Sequence, residues 1–170
     1  MIETRRLKLH PLTHSQLLNY LANDQSLEKE LNVMESSREI SAELREALET
    51  TIIANVADTT KNYLYSTLWT LIEKTGNKMV GELCMMGEPN ENGEIEIGYG
   101  TYEQFQNNGY MTEAVGGLIE WAAKQPEVRY INACTGKKNI ASFSVLIKNK
   151  FAKVGKKESL ILWQLRLKNP

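Results

Sequence analysis

The sequence is poor in the residues that bind metals or form disulfides. It contains only two cysteines and two histidines, and Cys84 and Cys134 lie far along the chain from His10 and His14. A metal site needs clustered ligands, so we expect no bound metal. Both cysteines fall in strand-like apolar segments, which predicts two reduced, buried thiols in a cytoplasmic protein.

Long apolar runs and an excess of charge of one sign are also lacking. The longest apolar runs span a few residues, such as 160–163, which is far short of a membrane crossing. Residues 1–6 have no apolar segment typical of a signal peptide. The net charge of −1 argues against nucleic acid or an anionic membrane as a partner. The 170 residues predict a single domain over 1–170 with a real core.

The usual glycine-rich phosphate-binding motifs are missing, but one polar loop could bind a phosphate instead. There is no Gly-Lys-Ser or Gly-Lys-Thr of a P-loop and no three-glycine dinucleotide fingerprint. Residues 106–114 instead join a predicted strand to an amphipathic helix and contain a single glycine, Gly109. Such a loop can offer unpaired backbone N–H groups to a phosphate. An ordinary strand-to-helix turn would explain the same residues.

The apolar periodicity along the chain predicts an α+β domain with a mixed sheet. A capping box at Thr13 and Gln16 opens a short helix, and a second capping box at Ser36 and Glu39 opens a longer helix that ends near Val56. Predicted strands cover residues 7–11, 63–73, 79–86, 94–102, 130–135 and 159–167, and the later helices cover 111–125 and 139–150.

Four motifs resemble the GCN5-related N-acetyltransferase (GNAT) family. Gln106-x-x-Gly109-x-Met111 is similar to its pyrophosphate loop, and Asn139-x-x-Ser142 followed by residues 148–151 is similar to its second cofactor-side helix. The segments 3–9, 96–99 and 109–114 resemble the subgroup that acetylates the N-termini of ribosomal proteins. The resemblance implies one GNAT-type domain, with a mostly antiparallel sheet splayed at a cofactor cleft and helices on both faces.

The resemblance also implies an activity and a cofactor. The expected reaction is acetyl transfer from acetyl-CoA to a primary amine, either a protein N-terminus or a small molecule, by direct attack on the thioester. A non-catalytic acyl-CoA-binding module is the alternative, and the protein would be a monomer or a homodimer. The implied cofactor-binding residues are Tyr99, Gly100, Thr101, Gln106, Asn107, Asn108, Gly109, Tyr110, Met111, Thr112, Asn139 and Ser142.

Two positions depart from the family pattern. Met111 replaces the usual small residue of the loop, and Lys150 replaces the glycine of the usual Gly-Phe. Methionine is flexible and the loop contact is largely made by backbone, so we expect cofactor binding to survive. The change at Lys150 should alter a turn rather than the chemistry.

Acetyl transfer to an amine needs a base, because amines are mostly protonated at neutral pH. Glu94 and Glu96 share one face of the predicted cleft strand, and Glu96 is slightly preferred. Glu82, on an otherwise apolar strand face, is the third candidate. Each of the three could instead be a solvated or ion-paired strand residue.

The acid that protonates the leaving thiolate is less clearly indicated. Some members of the family carry a tyrosine on the second cofactor-side helix, but that position is Leu146 here. Ser142 is therefore our predicted acid. Protonation by water is the alternative, since a thiol with a pKa near 8.5 leaves easily.

Overall fold

The computed structural model describes residues 1–167, which form an eight-stranded sheet with helices on both faces. The strands are β1 (Ile2–Glu3), β2 (Leu7–Pro11), β3 (Leu68–Glu73), β4 (Lys78–Met85), β5 (Glu94–Thr101), β6 (Tyr130–Gly136), β7 (Ala152–Lys157) and β8 (Leu160–Arg166). The helices are α1 (His14–Ala22), α2 (Ser26–Leu31), α3 (Ala42–Ala47), α4 (Ile53–Ala57), α5 (Tyr110–Ala122) and α6 (Ile140–Lys148), and a π-helical turn (Leu48–Ile52) joins α3 to α4.

The sheet is mixed but mostly antiparallel, as expected. Its strand order is β1-β2-β3-β4-β5-β6-β8-β7, and β5 with β6 is the parallel pair among the described strands. The three strands β3, β4 and β5 form the predicted antiparallel meander. The α+β prediction is confirmed.

The parallel pair separates halfway along its length. Backbone pairing between β5 and β6 runs from Glu94 opposite Tyr130 to Ile97 opposite Ala133. Residues 98–101 of β5 continue to pair with β4, while β6 continues to pair with β8 as far as Gly136. A wedge-shaped opening therefore lies between the two strands beyond Ile97, and the predicted splay of the sheet is confirmed.

Two apolar cores cover the two faces of the sheet. One contains α5 and α6 and includes the apolar face that the sequence predicted for α5, with Val115 and Leu118 fully buried. The other contains α1, α2 and the α3–α4 region around Leu48. Gly117 allows α5 to approach β1 closely, because a Cβ atom at this position would lie 2.7 Å from Thr4 Cγ2. The close packing of α5 against the sheet thus explains why a glycine is found at this position inside the helix.

The second helix begins later than the sequence predicts. The capping box at Ser36 does not form; helix α3 starts at Ala42, and the Ser41 hydroxyl accepts the N–H of Leu44 at 3.1 Å. The preceding residues have no helical structure because Arg38 is drawn into the interior, where its side chain is fully buried. A helix from Ser36 would have placed the chain on a different path.

Three smaller expectations also need correction. Strand β7 was missed, since its residues are mostly exposed and show no apolar alternation. The strand predicted over 63–73 starts only at Leu68, after a 3₁₀ turn at Tyr63–Tyr65. Both cysteines are free thiols, but neither is buried as predicted, because Cys84 is half-buried and Cys134 is exposed. Along residues 1–167, no helix combines the length and the apolar character that a membrane crossing requires.

Candidate functional site

Two cavities meet at the unpaired end of β5, one from each face of the sheet. The loop cavity, of about 430 Å³, lies between β5, the 105–112 loop and the first turns of α5 and α6. The glutamate cavity, of about 760 Å³, lies between strands β4 and β5 and the segment 37–47. Tyr99, Gly100 and Thr101 line both cavities. A group bound in one could therefore reach a group bound in the other beside this stretch of strand.

The loop cavity is walled largely by backbone at the start of α5. Asn107 and Gly109 both have positive φ angles, of 61° and 74°, which turn the chain sharply into the helix. The Asn108 amide stabilises this turn by donating to the carbonyls of Phe105 and Gln106 at 3.1 and 3.0 Å. The first N–H groups of a helix have no partner within the helix, so the beginning of α5 is suited to an anionic group.

The start of α5 is fixed to the first strands of the sheet by Glu113. Its carboxylate accepts hydrogen bonds of 2.6 Å from the Thr4 hydroxyl, the Arg6 backbone N–H and the Arg6 side-chain Nε. Burial alone would raise the pKa of Glu113, but these hydrogen bonds and the Arg6 charge hold it below its usual range. Arg6 also donates to the Asn108 carbonyl at 3.0 Å, so the loop is held in place at two points.

Helix α6 supplies the opposite wall of the loop cavity. Asn139 caps the helix, and its Oδ1 atom accepts the Ser142 N–H at 3.0 Å. The Tyr99 hydroxyl reaches across the opening and donates to the Ser142 carbonyl at 3.4 Å. Burial raises the pKa of Tyr99 to about 12, so this hydroxyl keeps its proton at neutral pH.

The structure brings most of the expected cofactor-binding residues together. Asn108 is the exception, because it closes the loop from behind and does not line the cavity. Lys148 lies at the same cavity and was not expected there. The expected residues that line the loop cavity are Tyr99, Gly100, Thr101, Gln106, Asn107, Gly109, Tyr110, Met111, Thr112, Asn139 and Ser142.

The glutamate cavity combines an apolar wall with several carboxylates. The glutamates that line it are Glu39, Glu43, Glu82 and Glu103. The apolar wall includes Ile40, Leu44, Ala47, Ile52, Leu68 and Met86. The π-helical turn that follows α3 contributes to this wall, an irregularity that occurs often at functional sites. The one cationic side chain in the lining, Arg38, is buried against Glu28, so the cavity is negative overall.

Glu82 is placed over the splayed end of β5. It pairs in register with Gly100, and a Cβ atom at Gly100 would lie only 2.7 Å from Glu82 Oε1. The absence of a side chain at Gly100 therefore allows the carboxylate to lie against the strand. Burial raises the pKa of Glu82 to about 7, and the hydroxyls of Tyr102 and Tyr20 and the charge of Arg38 oppose this rise. A group with this pKa can accept a proton near neutral pH.

A chain of buried polar groups leads away from Glu82. The Tyr20 hydroxyl donates to Glu82 Oε2 at 3.3 Å. The Arg38 guanidinium lies 4.7 Å from the centre of the Tyr20 ring and donates to the Tyr20 carbonyl at 3.2 Å. Arg38 forms an ion pair with Glu28, and both of these side chains are fully buried.

Glu94 and Glu96 lie toward the paired end of β5, outside both cavities. Asn90 donates to Glu94 at 2.8 Å, and Gln164 donates to it at 3.4 Å. Glu96 is opposite Asn132 on β6. Loss of solvation and the nearby Glu96 carboxylate both raise the pKa of the Cys134 thiol. Their assignment as the base stays a prediction, while the geometry brings Glu82 to the site where the two cavities meet.

The side chains around Glu82 could hardly be recognised from the sequence. Tyr20 and Arg38 come from a short helix and from a polar segment without a recognisable motif. The available signal was a glutamate in an apolar strand opposite a strand with two glycines, Gly98 and Gly100. Within residues 1–167, no three His, Cys, Asp or Glu side chains are grouped so that they could hold a metal ion.

Comparisons with known proteins identify the family of the chain. Residues 6–152 match the model of the acetyltransferase (GNAT) domain family. An uncharacterized N-acetyltransferase, YjdG of Bacillus subtilis strain 168, is 36% identical over 80 residues. That match spans 47% of this chain and about half (48%) of the Bacillus protein.

Solved structures of low sequence identity share the fold over nearly the whole chain. RimL, a ribosomal L7/L12 alpha-N-protein acetyltransferase in complex with coenzyme A, has a TM-score of 0.68 at 18% identity, covering 96% of both chains. Spermidine N-acetyltransferase from Vibrio cholerae, in complex with CoA and spermine, has a TM-score of 0.66 at 10% identity, covering 98% of both chains. The family match, which extends over most of the sequence, shows that the chain belongs to the GNAT acetyltransferase family.

Proposed function

We propose that this protein is an acetyl-CoA-dependent N-acetyltransferase that acts on a primary amine. The observation that supports this most directly is the meeting of two cavities at Gly100, with backbone N–H groups on one side and Glu82 on the other. An acyl donor and an amine could approach each other there from opposite faces of the sheet. The names of the relatives are consistent with this reaction.

The residues of the loop cavity fit coenzyme A. The turn at Asn107 and Gly109 and the first N–H groups of α5 suit a pyrophosphate. The free edge of residues 98–101 offers backbone hydrogen bonds of the kind that an extended amide chain such as pantetheine forms. When bound, acetyl-CoA would supply an acetyl thioester. The side chain of Met111 is buried in the core, so its size does not block this surface.

Glu82 is the proposed base. An alkyl ammonium that enters the glutamate cavity would lose its proton to the Glu82 carboxylate, and the neutral amine would then attack the thioester carbonyl. The C–N bond forms, the C–S bond breaks, the nitrogen gives up its second proton as the amide forms, and the thiolate takes up one proton, so that one proton is released overall. A base with a pKa near 7 is well suited to this step at neutral pH.

Ser142 remains the proposed acid for the leaving thiolate. It lies in the first turn of α6 on the loop cavity. The Tyr99 hydroxyl contacts the Ser142 carbonyl and is protonated at neutral pH, so it is a second proton donor on the same side. Water could also serve, because the thiolate is a good leaving group.

The charge of the glutamate cavity favours a cationic acceptor. Glu39, Glu43 and Glu103 are exposed around its opening, and the nearby Arg38 is neutralised by Glu28. Aliphatic side chains between these carboxylates would contact methylene groups. We therefore propose an alkyl amine with a second positive charge, such as a diamine or a basic peptide N-terminus, as the preferred acceptor.

The test combines cofactor binding with thiol release. Acetyl-CoA should raise the thermal stability of the protein, since a ligand that binds only the folded state stabilises it. Free thiol should then appear rapidly with alkyl amines that carry a second positive charge and more slowly with alkyl monoamines. Stabilisation without thiol release from any amine would support an acyl-CoA-binding module instead, and the lack of any stabilisation at millimolar acetyl-CoA would contradict the proposal.

A further inference from the structure

Several side chains surround Glu82 at the inner end of the glutamate cavity. Three of its neighbours are distant in sequence: Tyr20 on α1, Arg38 on the segment before α3 and Tyr102 after β5. These three side chains are buried, and Cys84, two residues along on the same strand, is half-buried. Such an arrangement restricts how the carboxylate can turn and how easily it can ionise.

The contact between Tyr20 and Glu82 is direct and specific. Tyr20 is fully buried, so its hydroxyl is directed into the protein, where it donates to Glu82 Oε2 at 3.3 Å. Tyr102 lies beside the same two groups, but its buried hydroxyl has no partner at hydrogen-bond geometry within the described residues. Both hydroxyls lower the pKa of Glu82, but Tyr20 is the one whose hydrogen bond to the carboxylate has defined geometry.

Tyr20 is in turn held from behind. Arg38 covers its ring at 4.7 Å and binds its backbone carbonyl at 3.2 Å. Glu28 on α2 fixes the guanidinium, and neither charged side chain is accessible to solvent. A buried pair of this kind contributes little to net stability, because burying both charges opposes folding. Its placement next to Tyr20 suggests a role in organising the site.

We propose that Tyr20 and Arg38 are positioning residues for Glu82: Tyr20 holds the carboxylate toward Gly100, and Arg38, fixed by Glu28, holds Tyr20. This inference rests on the proposed function, in which Glu82 is the base. It extends that proposal to residues that act through Glu82 rather than directly on the donor or the acceptor. It also explains why residues 35–41 leave the helical path to bring Arg38 inside.

The remaining polar groups around Glu82 do not provide the same support. Thr70 is opposite Glu82 on β3, and its buried hydroxyl has no partner among the described residues. His10 on β2 is opposite Thr70, one strand further from Glu82, and its side chain contacts Gln16 at 3.3 Å instead. Burial raises the pKa of the Cys84 thiol to about 11, so it stays neutral beside Glu82.

The test replaces Tyr20 by phenylalanine and measures the ionisation of Glu82 directly. The carboxyl ¹³C signal of Glu82, assigned by its loss in Glu82→Gln, should titrate about one pH unit higher in Tyr20→Phe, because a hydrogen bond to a carboxylate favours its ionised form by about that amount. The acid limb of kcat/KM should move by the same amount. Affinity for acetyl-CoA should stay the same.

Tyr65→Phe is the matched control. Tyr65 is also buried and also donates to a glutamate, Glu127, at 2.8 Å, but it lines neither cavity. The Tyr65→Phe variant should leave the midpoint of the Glu82 titration at its wild-type pH. An unchanged titration in Tyr20→Phe, or an equal shift in both variants, would overturn the proposal. The NMR titration needs no turnover, so a protein without acetyltransferase activity would contradict the proposed function separately.

Arg38 is tested as a pair with Glu28, since removal of one partner would leave a buried charge and could prevent folding. The double variant Glu28→Leu/Arg38→Met replaces both with apolar side chains. A folded double variant should shift the Glu82 titration upward, by less than Tyr20→Phe does. A folded double variant with the wild-type titration and pH profile would show that Arg38 has no positioning role.

Discussion

The loop cavity and the glutamate cavity are built in different ways, although both end at Gly100. The wall of the loop cavity at the start of α5 comes from one continuous segment, and its proposed ligand groups are mostly backbone N–H. The glutamate cavity is assembled from side chains of the segment before α3, α3 itself, the π-helical turn, β4 and the end of β5. The proposed phosphate-binding wall of the first is a local feature of the chain, while the second is assembled entirely by tertiary packing.

The difference extends to the two partly buried carboxylates that organise the cavities. Glu113 receives three hydrogen bonds from Thr4 and Arg6, and its pKa is lowered. Glu82 receives one hydrogen bond from Tyr20, and burial raises its pKa to about 7. One carboxylate is therefore a structural anion, and the other is poised to exchange a proton.

The largest effect should come from Glu82→Gln. We expect kcat/KM to fall by about 100-fold or more, since loss of a general base typically has this effect. Binding of acetyl-CoA should remain, because the loop cavity does not include Glu82. Steady-state kinetics and calorimetry would measure the two quantities.

Glu96→Gln and Glu94→Gln serve as the comparison for this first prediction. The alternation of residues along β5 favours these two glutamates as the base, whereas the cavities favour Glu82. A loss of activity in Glu96→Gln with wild-type activity in Glu82→Gln would reverse our assignment. It would also remove the distinction between the two cavities as donor and acceptor sites.

Sequence reasoning predicted the local elements around the loop cavity for a physical reason. A strand, a turn with glycine and a helix start are encoded by neighbours, so the 106–112 loop and the Asn139 cap could be recognised from short patterns. The meander, the amphipathic α5 and the capping box at Thr13 depend on similarly local signals. All of these features were correctly predicted.

The assembled cavity could not be predicted from local patterns. Ser36 and Glu39 satisfy the capping-box pattern, but the burial of Arg38 against Glu28 prevents the helix from starting there. The two residues of this ion pair are 10 positions apart and belong to segments that the sequence does not place together. The same limit made Glu82 look no better than Glu94 or Glu96, because its partners Tyr20 and Gly100 come from other segments.

The two carboxylates should affect stability in opposite directions as pH changes. Glu82 keeps its proton in the folded state to about pH 7, so the folded protein loses stability as pH rises from about 4.3 through 7. Glu82→Gln should raise the free energy of unfolding by about 1 to 3 kcal/mol at pH 8, and this gain should vanish at low pH. Denaturant unfolding at several pH values would measure it.

Glu113→Gln should show the opposite trend. Its lowered pKa stabilises the folded state above the unfolded pKa, and this contribution is lost as pH falls through the folded value. We expect a loss of about 1 to 3 kcal/mol at neutral pH that shrinks in acid, because hydrogen bonds to a charged group are replaced by weaker ones. If the unfolding free energies of Glu82→Gln and Glu113→Gln, each relative to wild type, changed with pH in the same direction, the contrast between the two carboxylates would be wrong.

A third prediction concerns the backbone of the loop cavity. Gly109→Ala should weaken acetyl-CoA binding by about 10-fold, since a side chain at a φ of 74° strains the turn by about 1 to 2 kcal/mol. The value of kcat at saturating acetyl-CoA should change little. Gly136→Ala is the control, because Gly136 has no positive φ angle and a Cβ atom there would meet nothing within 4 Å. Equal affinities in the two variants would argue against a backbone site.

The smallest effect should come from the opening of the glutamate cavity. Glu43 is exposed, so its attraction for a cationic acceptor is weakened by water and by salt. Glu43→Gln should raise KM for a diamine by about 2- to 5-fold at low ionic strength, which corresponds to about 0.5 to 1 kcal/mol. The effect should disappear at high salt and should be absent for a monoamine of the same length.

Glu46→Gln is the matched variant for this last prediction. It removes the same charge from the same short helix, but Glu46 does not line the cavity. If both variants raise KM equally, the attraction reflects the overall field of the protein rather than a contact at the opening. If only Glu43→Gln raises KM, and only for the diamine, a contact at the opening recognises the second charge of the acceptor. Acceptor selectivity would then depend on side chains brought together by folding, whereas donor binding would depend on a local turn.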